Sequence, residues 1–242
     1  MKKNNIHIFK SKRELAKYFA KKLAALSHSV SDGNYVSIAL SGGSTPREIF
    51  QYISRYAIDS ILWDSIRFFW GDERCVPPEH KESNFKMTMD NLLVNVPLSS
   101  SNIFRIKGEN DPVKEAQRYS TLVSGLLPVM ENNPVFDMVI LGLGEDGHTA
   151  SVFPPDLNLF DSKNLFESTQ NPYNGQKRIT ATGRVINNAR NVFFLVTGSS
   201  KAEMVAKIIK KQEGYENLPA SRVNPESKNV FWLLDEQAAA LL

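Results

Sequence analysis

The 242-residue sequence holds one cysteine, Cys75. No disulfide can form within the chain, which excludes small disulfide-framed secreted folds and fits a reducing compartment. No long uncharged apolar stretch is available to span a bilayer, and the first residues lack the apolar core of a signal peptide. The expectation is a cytoplasmic protein with no membrane partner. Excess charge of one sign is missing too. Lys and Arg total 29 against 26 Asp and Glu, a net charge of +3, and the basic residues are scattered rather than banded. That balance suits an anionic small molecule and argues against nucleic acid as a partner. The basic cluster Lys2-Lys3 with Lys10-Ser11-Lys12-Arg13 reads as a solvated N-terminal face. There is no solenoid-type repeat and no low-complexity tract.

Apolar strand-like runs alternate with amphipathic helix-like stretches. Ser11-Lys12-Arg13-Glu14 has the form of a capping box, followed by Leu15, Tyr18, Phe19, Leu23 and Leu26 at helical spacing. Strands are expected at 35–40, 66–70, 137–141, 192–196 and 230–234, and helices at 112–130 and 202–211. This alternation predicts an α/β fold: a Rossmann-like, mostly parallel sheet with helices on both faces. No linker interrupts it, so residues 1–242 are expected to form a single α/β domain. The irregular stretch 154–176 is either a lid or binding loop or a plain surface excursion.

Ligands of open parallel sheets bind beyond the carboxyl ends of the strands, so the residues just past each strand carry the most functional weight. Ser41-Gly42-Gly43-Ser44 comes after the first, and Thr45-Pro46-Arg47-Glu48 beyond it has the form of a capping box. Glycines before a helix N-terminus suit a phosphate, or form an ordinary βα turn. Gly42, Gly43 and Ser44 are the candidate anion cradle. The ending of a P-loop is absent, as is a dinucleotide fingerprint. Gly71-Asp72-Glu73-Arg74 comes after the second strand; Asp72 is a candidate binding residue, and Arg74 either clamps an anion or pairs with Asp72 or Glu73. Thr197-Gly198-Ser199-Ser200-Lys201 is another turn, with Ser200 and Glu203 in capping-box register and Lys201 as a candidate phosphate ligand or a solvated lysine. Cys75 has no feature of a nucleophile.

The most informative segment is Leu141-Gly142-Leu143-Gly144-Glu145-Asp146-Gly147-His148. An apolar strand stops in glycines and delivers an acid and a histidine to the sheet edge. Histidine is the side chain best suited to move protons near neutral pH, and Asp146 two residues away favours chemistry over a core role. His7, His28 and His80 have no such setting and are expected at the surface. No histidine or cysteine stands at a zinc-ligand spacing from His148, so no metal is expected.

Several ordered blocks resemble the 6-phosphogluconolactonases: Ser41-Gly42-Gly43-Ser44-Thr45-Pro46, Gly71-Asp72-Glu73-Arg74-Cys75-Val76-Pro77, Ser83-Asn84-Phe85-Lys86-Met87, the Asp146-Gly147-His148 block through Pro154, Arg178-Ile179-Thr180, Asn187-Asn188-Ala189-Arg190 and Pro219-Ala220-Ser221. The resemblance spans nearly the whole chain. It implies hydrolysis of 6-phosphoglucono-δ-lactone to 6-phosphogluconate, and a fold shared with the glucosamine-6-phosphate deaminases. Those deaminases usually read Asp-Glu-Tyr where this chain has Asp72-Glu73-Arg74, and carry glutamate where it has Phe153. Lactonases often place a lysine in a proline-rich segment before Arg178; here the segment is Asn171-Pro172-Tyr173-Asn174-Gly175-Gln176-Lys177, and Arg184 stands where proline is common.

On this resemblance His148 is expected as general base, Asp146 as its orienting partner and Arg74 as a stabiliser of the oxyanion, with the phosphate among Gly43, Ser44, Arg178 and Lys201. The expected partner is a phosphorylated sugar lactone, without metal or organic cofactor, acting on a monomer or weak homodimer. A non-catalytic sugar-phosphate sensor is a further alternative, disfavoured by the lack of a segment for a helix-turn-helix.

Overall fold

Ser11 opens the first helix as its sequence requires: its hydroxyl accepts the Glu14 N–H at 3.2 Å, and Glu14 reaches back to the Lys10 N–H at 3.2 Å. The structure is a computed structural model that describes residues 5–31, 33–130 and 132–242, so Lys2 and Lys3 of the basic cluster lie outside it. In chain order come β1 (Ile6–Phe9), α1 (Lys12–Ser27), β2 (Val36–Leu40), α2 (Ser44–Tyr56), β3 (Ile66–Trp70), β4 (Asp72–Arg74), α3 (Asn84–Asn91), α4 (Pro112–Leu126), β5 (Val129–Met130) and β6 (Asn133–Pro134). Next are β7 (Met138–Leu141), β8 (Phe166–Gln170), β9 (Lys177–Ala181), α5 (Gly183–Ile186), β10 (Val192–Val196), α6 (Ala202–Ile209) and β11 (Val230–Asp235), with short 3-10 turns between.

Six strands form one parallel sheet in the order β1-β11-β10-β7-β2-β3, and helices cover both its faces. Every residue of β2, β7 and β10 is buried, as the interior of a two-sided sheet demands, whereas β1 at the edge is only half-buried. The helices turn their apolar stripes inward: Leu15, Phe19 and Leu23 on α1, Ile49, Phe50 and Ile53 on α2, Val205 and Ile208 on α6. The chain lays β3 outside β2, then crosses back to place β7 on the other side of β2. The crevice between the carboxyl ends of β2 and β7 is therefore the topological switch point of the sheet, where ligands of such folds bind.

A second, antiparallel sheet of β4, β9 and β8 sits beside that rim. Its register sets Asp72 opposite Thr180 and Arg74 opposite Arg178. The stretch expected to be irregular is thus largely ordered: a 3-10 segment Pro154–Asp161, then β8, then the hairpin turn into β9. Two helices end earlier than their periodicity predicts. α4 stops at Leu126 because Leu127, two residues on from Gly125 and directly before Pro128, takes an extended conformation. α6 stops at Ile209, and Lys211 adopts a positive φ of 52°. His7 is not a free surface group. It lies 5.0 Å from the Tyr18 ring and 6.4 Å from Phe231, where burial and then Lys22 lower its pKa. Among the described residues, no helix is long and apolar enough to cross a membrane.

Candidate active site

The glycine turn after β2 and the Asp-Gly-His turn after β7 open into one cleft of about 200 Å³. Gly42, Gly43 and Ser44 line one wall, and His148 lines another. Asp72, Arg74 and Arg178 enter from the antiparallel sheet, and Lys201 from the turn after β10. Eight of the expected site residues therefore share one cavity. Asp146 stands behind His148.

The His148 turn is tightly built. Gly144 N–H donates to the His148 carbonyl at 2.9 Å, and Gly147 N–H to the Gly144 carbonyl at 3.1 Å. A Cβ at position 144 would overlap both the His148 ring and the Asp146 carboxylate, so this close approach requires glycine. Asp146 Oδ1 lies 2.6 Å from His148 Nδ1 and accepts the His148 backbone N–H at 3.1 Å, while Oδ2 accepts the Tyr173 hydroxyl at 2.8 Å. An ionised carboxylate only accepts, so Nδ1 carries a proton, and in the neutral ring Nε2 is the nitrogen with the lone pair. Burial raises the Asp146 pKa, but the His148 hydrogen bond and charge, with the backbone and Tyr173 donors, outweigh it and hold the carboxyl well below its usual range. The imidazole rests 4.8 Å from the ring of Phe153, which is itself fully buried.

The anion cradle differs in detail from its sequence signature. Thr45 and Glu48 do not form a capping box: α2 begins at Ser44, Gly43 is its N-cap with no side-chain bond, and Glu48 pairs with Lys12 at 2.7 Å. Gly43 has φ 105°, which a side chain would rarely tolerate. The first turn of α2 therefore meets the cleft without an internal cap for its N–H groups, and Pro46 has none to offer. Thr45 instead meets Thr197 at 2.7 Å between hydroxyls, tying the turns after β2 and β10 together. Ser200 does not cap α6 either. A 3-10 turn over Ser199–Lys201 precedes that helix, and Lys201 Nζ lies 3.7 Å from Glu145.

The two acids of β4 divide their tasks. Glu73 is buried and accepts the N–H groups of Arg74, Asn84 and Phe85 and the Ser83 hydroxyl, at 2.7–3.0 Å. It closes the start of α3, and burial raises its pKa despite those donors. Asp72 faces the cleft, held by the Ser151 hydroxyl at 2.7 Å and by the Asn84 amide at 3.3 Å. Arg74 pairs with neither acid; its guanidinium donates to the Glu82 carbonyl. The Nε atoms of Arg74 and Arg178 are buried without a hydrogen-bond partner among the described residues. Burial, then the neighbouring Arg74 charge, lowers the Arg178 pKa. Two cations held side by side with unspent donors make an anion-binding surface.

Lys177 and Arg184 do not line the cleft; Lys177 is exposed, and Arg184 donates to Asn133 and to the Lys163 carbonyl. Cys75 is half-buried, and burial, then Glu73, pushes its thiol up to about 11, which suits no nucleophile. The site contacts of Asn84, Thr45, Thr197 and Tyr173 carry no signal in the sequence. Asn84 lies within a recognisable block, but no local pattern tells that its amide turns to Asp72.

A parallel sheet with a polar cleft at its switch point defines a Rossmann-like α/β protein. The chain belongs to the family described as glucosamine-6-phosphate isomerases/6-phosphogluconolactonase, whose model matches residues 10–232. It is similar to the 6-phosphogluconolactonase of Haemophilus influenzae, 41% identical over 211 residues that cover 86% of this chain and 88% of that one. It is 39% identical over 202 residues to the 6-phosphogluconolactonase of Treponema pallidum, covering 84% and 83%. The solved 6-phosphogluconolactonase of Trypanosoma brucei superposes with a TM-score of 0.85 at 30% identity, covering 98% of each chain.

Proposed function

We propose that this protein is a 6-phosphogluconolactonase that hydrolyses 6-phosphoglucono-δ-lactone to 6-phosphogluconate by histidine-assisted attack of water. The observation that carries the reading is the Asp146–His148 pair facing, across one cleft, an uncapped helix N-terminus and two arginines. His148 Nε2 makes no hydrogen bond among the described residues and takes a proton from water as the oxygen attacks the lactone carbonyl. The oxyanion forms near Arg74. The tetrahedral intermediate then breaks its bond to the ring oxygen, which receives the proton from the imidazolium, while Asp146 stabilises that cation. The phosphate rests on the first turn of α2 with Arg178 and Lys201, so remote binding energy positions the lactone. Asp72 closes the polar wall between them.

Phe153 favours this reading over deamination of glucosamine 6-phosphate. Where the resemblance places a glutamate in the deaminases, a buried ring packs on His148 instead, and it can carry no proton. The same reading includes one domain over residues 1–242, working in the cytoplasm as a monomer or weak homodimer. The test offers the purified protein the phosphorylated lactone and glucosamine 6-phosphate in parallel. Acid release above the spontaneous rate, with no ammonia from the amino sugar, is the expected result. Ammonia release would move the protein to the deaminases; binding without turnover of either would make it a sensor.

A further inference from the structure

The turn joining β8 to β9 brings a residue to the catalytic pair from outside its loop. Tyr173 is 70% exposed, yet its hydroxyl donates to Asp146 Oδ2 at 2.8 Å. Both donors to Oδ1 come from His148 itself. A carboxylate held at one oxygen keeps broad freedom about its last side-chain torsion. Tyr173 supplies the anchor at the other oxygen and removes that freedom.

The turn that holds Tyr173 is itself well bonded. Asn171 accepts the Tyr173 N–H through its side chain and the Gly175 N–H through its carbonyl, both at 2.9 Å. Gln170 Nε2 donates to the Gly175 carbonyl at 2.8 Å. The phenol ring meets Phe153 edge-on at 6.5 Å, and Phe153 also supports the His148 ring. One buried ring thus aligns the phenol and the imidazole at the two ends of the Tyr173–Asp146–His148 chain.

We propose that Tyr173 is a positioning residue that acts through Asp146 to fix the His148 ring for proton transfer. The inference rests on the lactonase reading for its kinetic test only. Tyr173→Phe keeps the ring against Phe153 and removes the hydroxyl. Its kcat falls roughly three- to tenfold, the low end for a hydrogen bond to a charged group at an exposed site. KM stays within about twofold, because no substrate contact is lost. In an Asp146→Ala background the same substitution leaves kcat unchanged. A raised KM with unaltered kcat, or an equal loss in the Asp146→Ala background, would overturn the proposal.

Nitrogen NMR of the imidazole needs no turnover. The His148 nitrogens should report the Nδ1–H tautomer in the parent protein and move toward averaged values in Tyr173→Phe. Unchanged ring signals overturn the role of Tyr173 whatever the protein hydrolyses. A ring that loosens in a protein that opens no lactone overturns the lactonase reading and leaves the positioning role standing.

Discussion

The turns at the rim of the parallel sheet and the strands of the small antiparallel sheet furnish the same cleft by different means. The rim contributes chiefly backbone: glycine turns, the uncapped start of α2, and a histidine whose orientation is set within three residues by Asp146. The antiparallel sheet contributes side chains: Asp72 and Arg74 from β4, Arg178 from β9, and Tyr173 from the hairpin beyond it. Its register, not its sequence spacing, sets Arg74 against Arg178 across 104 positions of chain (178 − 74). The rim is suited to chemistry and to the phosphate's first contacts, and the small sheet to holding anionic charge.

This division yields separable outcomes. The largest is His148→Ala, which removes the proposed base. It should lower kcat by about 10²- to 10⁴-fold while KM changes little; steady-state lactone hydrolysis, corrected for the spontaneous rate, measures it, and retained turnover would remove the rim from the chemistry. Arg178→Ala comes next. Loss of a charge-assisted donor to the phosphate should raise KM by about tenfold or more with kcat nearly kept. A fall in kcat alone would mean that Arg178 serves the reacting carbonyl, beside Arg74, rather than the phosphate.

The smallest effect is on stability. Asp146 has a folded pKa depressed below its unfolded value. Its ionised form therefore stabilises the fold above the unfolded pKa of about 4, and that contribution is lost as pH falls toward the folded value. The unfolding midpoint of the parent protein should exceed that of Asp146→Asn across the neutral range, and the gap should narrow as pH falls below about 5 and on through the unfolded pKa of about 4. A gap that stays flat through that fall would mean the carboxylate is not held by the network.

Much of this arrangement was legible in the primary structure, for a physical reason. The runs 66–70 and 192–196 coincide with β3 and β10: β10, buried at every residue, is apolar throughout, and the edge strand β3 departs from that only at the half-buried Arg67. His148 was legible because a strand ending in glycines cannot continue into a core element. Two of the three capping boxes failed, and the failures share a cause. Thr45 and Ser200 sit in turns that meet at the cleft, where Thr45 finds Thr197 across the sheet and Gly198 N–H is taken by the buried Asp235 at 3.0 Å. A local pattern describes what a side chain can do for its own helix; it carries no account of a better partner arriving from another strand.

The same limit explains the second sheet. β4 is three charged residues and β8 is polar beyond Phe166, and their strand character comes from pairing with β9. The fate of each acid in Asp72-Glu73 depends on which side of β4 it occupies: alternate residues point to opposite faces, so one looks into the cleft and the other under α3.

By itself the amino-acid order determined the alternation of strands and helices, the parallel sheet, and the placing of glycine turns, Asp146 and His148 at strand ends, because these come from burial and local backbone freedom. Tertiary structure alone decided that Arg74 meets Arg178, that Glu73 is spent on a helix while Asp72 is not, and that Tyr173 reaches Asp146. Those contacts depend on strand register and crossover geometry, which fold distant residues together through pairings no local window of sequence contains.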